Sequence, residues 1–115
     1  MIIGIGTDII EIERIKKSVK RFGVSFLKHI LTDEEMACAK RFKSPWAHYA
    51  GRFAAKEAIY KAMGESKLTW HDVSIVNDKQ GKPLCKFHKI KFKNQILITI
   101  SHSKNYATAV CIVWS

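Results

Sequence analysis

The sequence predicts an α+β domain in which one long central helix packs on a mostly antiparallel sheet. Three observations carry that expectation. The stretch SPWAHYAGRFAAKEAIYKAMG, Ser44 to Gly64, has helix punctuation at both ends and helical spacing between them. Beyond Gly64 the apolar residues change to the alternation of strands. The chain has 115 residues, 47% apolar and 26% charged, which suits a single domain, residues 1–115, with one core.

Met1 to Ile10 is rich in isoleucine and reads as a buried strand ending near Thr7, with Gly4 and Gly6 marking a close backbone approach. GIGTD lacks the third glycine of a dinucleotide fingerprint and the lysine of a phosphate-binding loop. Asp8 falls at the expected strand-to-helix junction, where two readings compete. It is either the N-cap of a capping box with Glu11, opening a helix over Ile9 to Phe22, or a metal ligand or acid/base group at a strand end. Within that helix Ile12, Ile15, Val19 and Phe22 form the core stripe. Arg14, Lys17 and Arg21 line another face with Lys16 and Lys20 beside them, and Gly23 ends the helix. A basic face of this kind is either solvated or a dock for an acidic helix. Val24 to Ile30 is short, helical or irregular. Thr32 to Glu35 is a second capping box, opening a helix that carries Met36, Ala39 and Phe42.

In the long helix Ser44 is the expected N-cap, Pro45 the first helical residue and Gly64 the terminator. Steps of three and four from Trp46 give Tyr49, Ala50, Phe53, Glu57 and Tyr60. A carboxylate thus falls in the middle of the face expected to be buried, with Lys61 one turn on. A buried carboxylate must be paired, metal-bound or protonated, so Glu57 is either half of a Glu57–Lys61 helical salt bridge or a ligand. Glu65 to Asp72 then reads as a loop packing Trp70 on the core. Val73 to Val76 is a short strand, Asn77 to Pro83 a turn, and Leu84 to Phe92 extended chain with Lys89 to Lys93 alternating, as suits a protected sheet edge. Phe87 and Phe92 would lie on opposite faces of that strand. Ile96 to Ser101 and Tyr106 to Trp114, joined by His102 to Asn105, form an antiparallel hairpin.

Twenty Lys and Arg against ten Asp and Glu leave a formal charge of +10, which predicts an acidic partner or substrate: nucleic acid, anionic membrane, acidic protein or polyphosphate. No apolar run approaches the ~20 residues of a membrane helix. The N-terminus lacks the features of a signal peptide, so a cytoplasmic location is expected. Cys38, Cys85 and Cys111 include no CxxC pair and read as reduced thiols. Asp8, Glu57 and His102 stand where core packing does not explain them, although His102 also reads as a turn residue. Two carboxylates with nearby cations suit Mg²⁺. The competing class is a non-catalytic nucleic-acid-binding domain using Lys86 to Lys93, for which no helix-turn-helix, RNP-type or KH-type signature is present.

GIGTDIIEIERI, GRFAAKEAIYKAMG, NDKQGKP and ISHSKNYATA, in this order across nearly the whole chain, resemble the holo-[acyl-carrier-protein] synthases, a 4′-phosphopantetheinyl transferase family. The resemblance implies transfer of the 4′-phosphopantetheine arm of coenzyme A to a serine of acyl carrier protein, in fatty acid biosynthesis. Adenosine 3′,5′-bisphosphate is released and Mg²⁺ is required. It also implies a homotrimer with active sites at subunit interfaces. Position by position, Asp8 and Glu57 match the Mg²⁺-binding carboxylates and Lys61 the lysine facing the reacting pyrophosphate. Arg52, His102 and Gly64, with Lys61, fall in motifs used around coenzyme A, and Arg14 and Arg21 match a basic helix that receives the carrier protein. The base for the serine would be Glu57 or a metal-bound water. After Gly64, where similar enzymes often have a second glycine, this chain has Glu65, Ser66 and Lys67.

Overall fold

The computed structural model describes residues 1–64, 68–89 and 91–115. The elements are β1 (Ile2–Glu11), α1 (Ile12–Phe22), α2 (Val24–Ile30), α3 (Asp33–Ala39), α4 (Trp46–Met63), a 3-10 turn (Trp70–Asp72), β2 (Val73–Asn77), β3 (Pro83–Phe87), β4 (Gln95–His102) and β5 (Tyr106–Trp114). All strand pairs are antiparallel, in a three-stranded sheet of order β1-β5-β4 and a two-stranded sheet β2-β3. The α+β arrangement with a long central helix is therefore present.

The contact between β1 and α4 sets the geometry of everything else. A β-carbon on Gly6 would overlap the carbonyl oxygen of Ala58, and one on Gly4 that of Ala62, so only glycine lets the helix backbone rest on the strand. Toward its N-terminus α4 drifts across the sheet, where Gly51 meets Ile100 of β4. Ala54, Ala55, Ala58 and Ile59 are fully buried. The other side of α4 is covered as well, Phe53 stacking on Trp70 at 5.1 Å and Tyr60 meeting the same indole edge-on at 5.5 Å. The loop before β2 thus packs its tryptophan on the core, as expected.

Covering on nearly all sides also corrects the expected buried face. Trp46, Tyr49, Phe53, Glu57 and Tyr60 are half-buried, and the deepest polar side chain of α4 is Lys56, not Glu57. The helix begins at Trp46 with Pro45 in the N-cap position and no side-chain cap, so Ser44 does not cap it. The strand that carries Asp8 runs on to Glu11, paired with Tyr106, and α1 starts only at Ile12. Strand pairing with β5 outcompetes the local capping box, which does not form. Phe22 is exposed rather than core, and α3 ends at Ala39, so Phe42 lies beyond the helix expected to carry it. The second box does form: Glu35 N–H donates to Thr32 Oγ1 at 3.3 Å and Thr32 N–H to Glu35 Oε1 at 2.9 Å.

β3 stops at Phe87 instead of continuing to Phe92. Lys89 adopts a left-handed φ of 63°, which reverses the chain and stacks Phe92 on Phe87 at 4.4 Å, so the two rings share one site against the core. Ile90, part of the expected alternation, lies outside the described residues. The turn from Asn77 is held by Asp78, whose Oδ1 accepts from the N–H groups of Gln80 at 2.8 Å and Lys82 at 2.9 Å.

One face of the three-stranded sheet holds Gly6, Cys111 and Ile98 in register under α4, all buried. The opposite face carries the row Ile5, Ile112 and Leu97 with nothing over it among the described residues, Ile5 being 67% exposed and Leu97 48%. No described helix is long and apolar enough to cross a membrane.

Candidate active site

Asp8 pairs across the sheet with Ala109, and Ala109 with Ile100, a row on the face that carries α4. Thr108 Oγ1 donates to the Asp8 carbonyl at 2.9 Å and ties the strand at that point. From α4, the Lys61 ammonium stands 3.2 Å from Asp8 Oδ1 and donates to the Thr7 carbonyl at 2.9 Å. Lys61 thus bridges to the strand, and among the described residues no ion pair joins it to Glu57. Glu57, one turn earlier, is half-buried. Burial raises its pKa, the negative charge of Asp8 raises it further, and Lys61 offsets part of the rise.

Two carboxylates close enough to repel, compensated by a lysine whose side chain is 54% exposed, form a site that gains from another cation. Their donors are hard oxygens, one on a strand and one on a helix. That chemistry fits Mg²⁺, which takes one or two carboxylates and fills its remaining positions from water and phosphate. Among the described residues no group of three or more His, Cys, Asp or Glu side chains could hold a metal.

A second group of polar residues lies elsewhere. A cleft of about 340 Å³ is lined by Arg52, His102, His48, Asn77, Gly81 and Phe42, among others, but by none of Asp8, Glu57 and Lys61. Arg52 is only 5% exposed; its Nη2 donates to Asn77 Oδ1 at 3.0 Å, and its buried Nε has no partner among the described residues. Burial lowers the pKa of the guanidinium, and the charge of Glu35 works against that. His48, one turn before it, is pushed down to about 4 by burial and then by Arg52, and its Nε2 is also buried without a partner. A buried guanidinium with donors to spare and no carboxylate bonded to it matches the requirements of an anion.

The division between the two groups follows from helix and sheet geometry. Arg52 and Glu57 are five residues apart on α4, about 140° around its axis. Asp8 and His102 sit on β1 and β4, with β5 between them, about 10 Å across the sheet. One chain therefore presents a carboxylate–lysine group on one flank of α4 and an arginine–histidine cleft on the other. Gly64 ends α4 with a φ of 75°, while Glu65, Ser66 and Lys67 lie outside the described residues. Arg14 and Arg21 are exposed on α1, Arg21 lying 5.0 Å over the Phe22 ring.

The family described as the 4′-phosphopantetheinyl transferase superfamily matches residues 4–111. A holo-[acyl-carrier-protein] synthase of Chlorobaculum tepidum is 45% identical over 111 residues, covering 94% of this chain and 95% of that protein. The chain belongs to the 4′-phosphopantetheinyl transferase superfamily, as an enzyme of the holo-[acyl-carrier-protein] synthase type. Another such synthase, of Protochlamydia amoebophila, is 46% identical over 123 residues, covering all of this chain and 99% of that one. The fold agrees. A Bacillus anthracis holo-(acyl-carrier-protein) synthase solved in complex with CoA (3′,5′-ADP) superposes with a TM-score of 0.88 at 38% identity, over 98% of this chain and 96% of that one.

Four residues near these groups carried no signal of their own in the sequence. Lys56 and Glu35 form a fully buried ion pair behind α4. Helical spacing flags Glu57 but not its neighbour, and Glu35 is accounted for by its capping box. Asn77 reads as turn chemistry and His48 as an ordinary helix residue, yet both line the cleft. The signal that could have flagged Lys56 is a lysine that follows Ala54 and Ala55 directly, on a helix largely apolar around them.

Proposed function

We propose that this enzyme moves the 4′-phosphopantetheine arm of coenzyme A onto a serine of an acyl carrier protein, with adenosine 3′,5′-bisphosphate leaving, in support of fatty acid synthesis. The observation that carries the reading is the Asp8–Glu57 pair beside Lys61, an under-compensated pair of hard ligands next to a half-exposed cation. The new bond joins the serine oxygen to the phosphorus that bears pantetheine, and the bond to the bridging oxygen of the pyrophosphate breaks. Asp8 and Glu57 would hold Mg²⁺, which when bound supplies positive charge against the pyrophosphate during transfer. Lys61 would stabilise the charge that collects on the bridging oxygen. The serine proton would pass to Glu57 or to a metal-bound water.

Arg52 and His102 would hold phosphates of coenzyme A in the cleft, the unpartnered Arg52 Nε being the strongest support, with Gly64 near the nucleotide. Because α4 separates these residues from the carboxylates, a substrate that meets both groups would take them from neighbouring subunits. The bare apolar face at Ile5, Ile112 and Leu97 supports such an assembly, a homotrimer with sites between subunits. Exposed Arg14 and Arg21 would receive the acidic carrier protein, and the excess of +10 serves both anionic partners. A cytoplasmic location fits these substrates.

Glu57→Gln tests the reading, since it removes charge with little change in shape. The variant should stay folded by circular dichroism and lose transfer by about a hundredfold or more. Turnover like that of the unmodified enzyme would contradict the assignment.

A further inference from the structure

Two buried cations on α4 face one buried carboxylate, and only one of them is bonded to it. The Lys56 ammonium is fully buried and spends its three donors on Glu35 Oε1, on the Ile30 carbonyl at 2.8 Å and on the Trp70 carbonyl at 2.7 Å. Glu35 is equally buried and equally occupied: Thr32 N–H reaches its Oε1, and Ile75 N–H its Oε2 at 2.8 Å. The pair therefore ties α4 to the end of α2, the start of α3, the 3-10 turn and β2. Arg52 lies one turn before Lys56 on the helix, about 6 Å away at the β-carbons. It feels the charge of Glu35 without bonding it, and its Nε stays unpartnered beside the cleft.

We propose that Lys56 is a positioning residue for co-substrate binding: by occupying Glu35 it keeps the Arg52 guanidinium turned toward the cleft and free for a phosphate. The inference rests on the reading of Arg52 as a phosphate contact. A buried ion pair is commonly no more stabilising than apolar residues of the same size, so its presence here asks for a role beyond stability. Without the ammonium, Glu35 is a buried anion with no counter-charge, and Arg52 is the buried cation one turn away. An arginine–carboxylate pair is strong and directional, and forming it would withdraw the guanidinium from the cleft. Lys56 holds the two apart by satisfying the carboxylate first.

Calorimetric titration of the enzyme with coenzyme A, in the absence of carrier protein, separates the possibilities, with thermal unfolding measured in parallel. Arg52→Gln should weaken binding by about tenfold or more. Lys56→Met should weaken it comparably, while the double variant Lys56→Met/Glu35→Gln, which removes both charges, should return to within a few-fold of the unmodified enzyme. Recovery in the double variant is the decisive outcome, because a purely structural tie would be lost in both. Full affinity in Arg52→Gln would overturn the reading of Arg52 itself. Weak binding by Arg52→Gln combined with full affinity in Lys56→Met, or with a double variant as weak as Lys56→Met, would overturn the positioning role alone. If Lys56→Met does not fold, Glu35→Gln decides: affinity retained or tightened supports the role, and a loss overturns it.

Discussion

His48 and Arg52 occupy successive turns of α4 at the same cleft, and burial drives each toward its neutral form, Arg52 with Glu35 to resist it and His48 with nothing. The consequence for His48 is a dependence of stability on pH. Its folded pKa lies at about 4, below the ordinary 6.5. Between those values the unfolded chain takes up a proton that the folded chain refuses, so stability falls as pH falls through the window. His48→Leu should reduce that fall, measured as the change in urea midpoint between the two ends of the window; a slope identical to that of the unmodified protein would contradict the burial argument. Legibility at this scale was uneven. Asp8, Glu57 and Lys61 could be picked from the chain and do gather on one flank of α4. Glu35 was visible only as half of its local capping box with Thr32. Its bond to Lys56 spans 21 positions, and no local spacing announces a contact of that kind.

The packing of α4 on β1 is the contact on which both site groups depend, because it places Glu57 and Lys61 beside Asp8 and leaves Arg52 on the far flank. Gly6→Ala tests it. The added methyl overlaps the Ala58 carbonyl, backbone on backbone, so helix and strand must part. A loss of about 2 kcal/mol or more in chemical denaturation, with impaired transfer, is expected; an unchanged midpoint would mean that the contact is looser than described. The close approach at Gly4 and Gly6 was readable in the sequence, since two glycines in an isoleucine-rich strand have few other uses. The boundaries were less readable. Asp8 and Glu11 have the spacing of a capping box, but Glu11 pairs with Tyr106, and a partner so distant in the chain outweighs a local cap. In the same way the alternation from Lys89 to Lys93 suggested continuous strand, while the left-handed Lys89 turns the chain back so that two phenylalanines stack.

For the whole molecule, the uncovered face of the three-stranded sheet and the split of the polar residues by α4 lead to one proposal. If neighbouring subunits complete each site, assembly and activity fall together. Ile5→Asp puts a charge on a residue already 67% exposed, so the subunit should still fold while its mass by light scattering drops to that of a monomer and transfer is lost. An assembled, active variant would remove this face from the interface. The overall charge of +10 was the sequence's clearest statement about partners, and it left nucleic acid and anionic carrier protein equally open until the motifs narrowed the choice. The central claim is the transfer itself. Incubating the protein with coenzyme A, Mg²⁺ and an apo acyl carrier protein, and weighing the carrier by mass spectrometry, tests it most directly. The account predicts a carrier heavier by one phosphopantetheine arm on its serine; a carrier of unchanged mass, alongside tight salt-dependent binding of RNA by the protein, would contradict it.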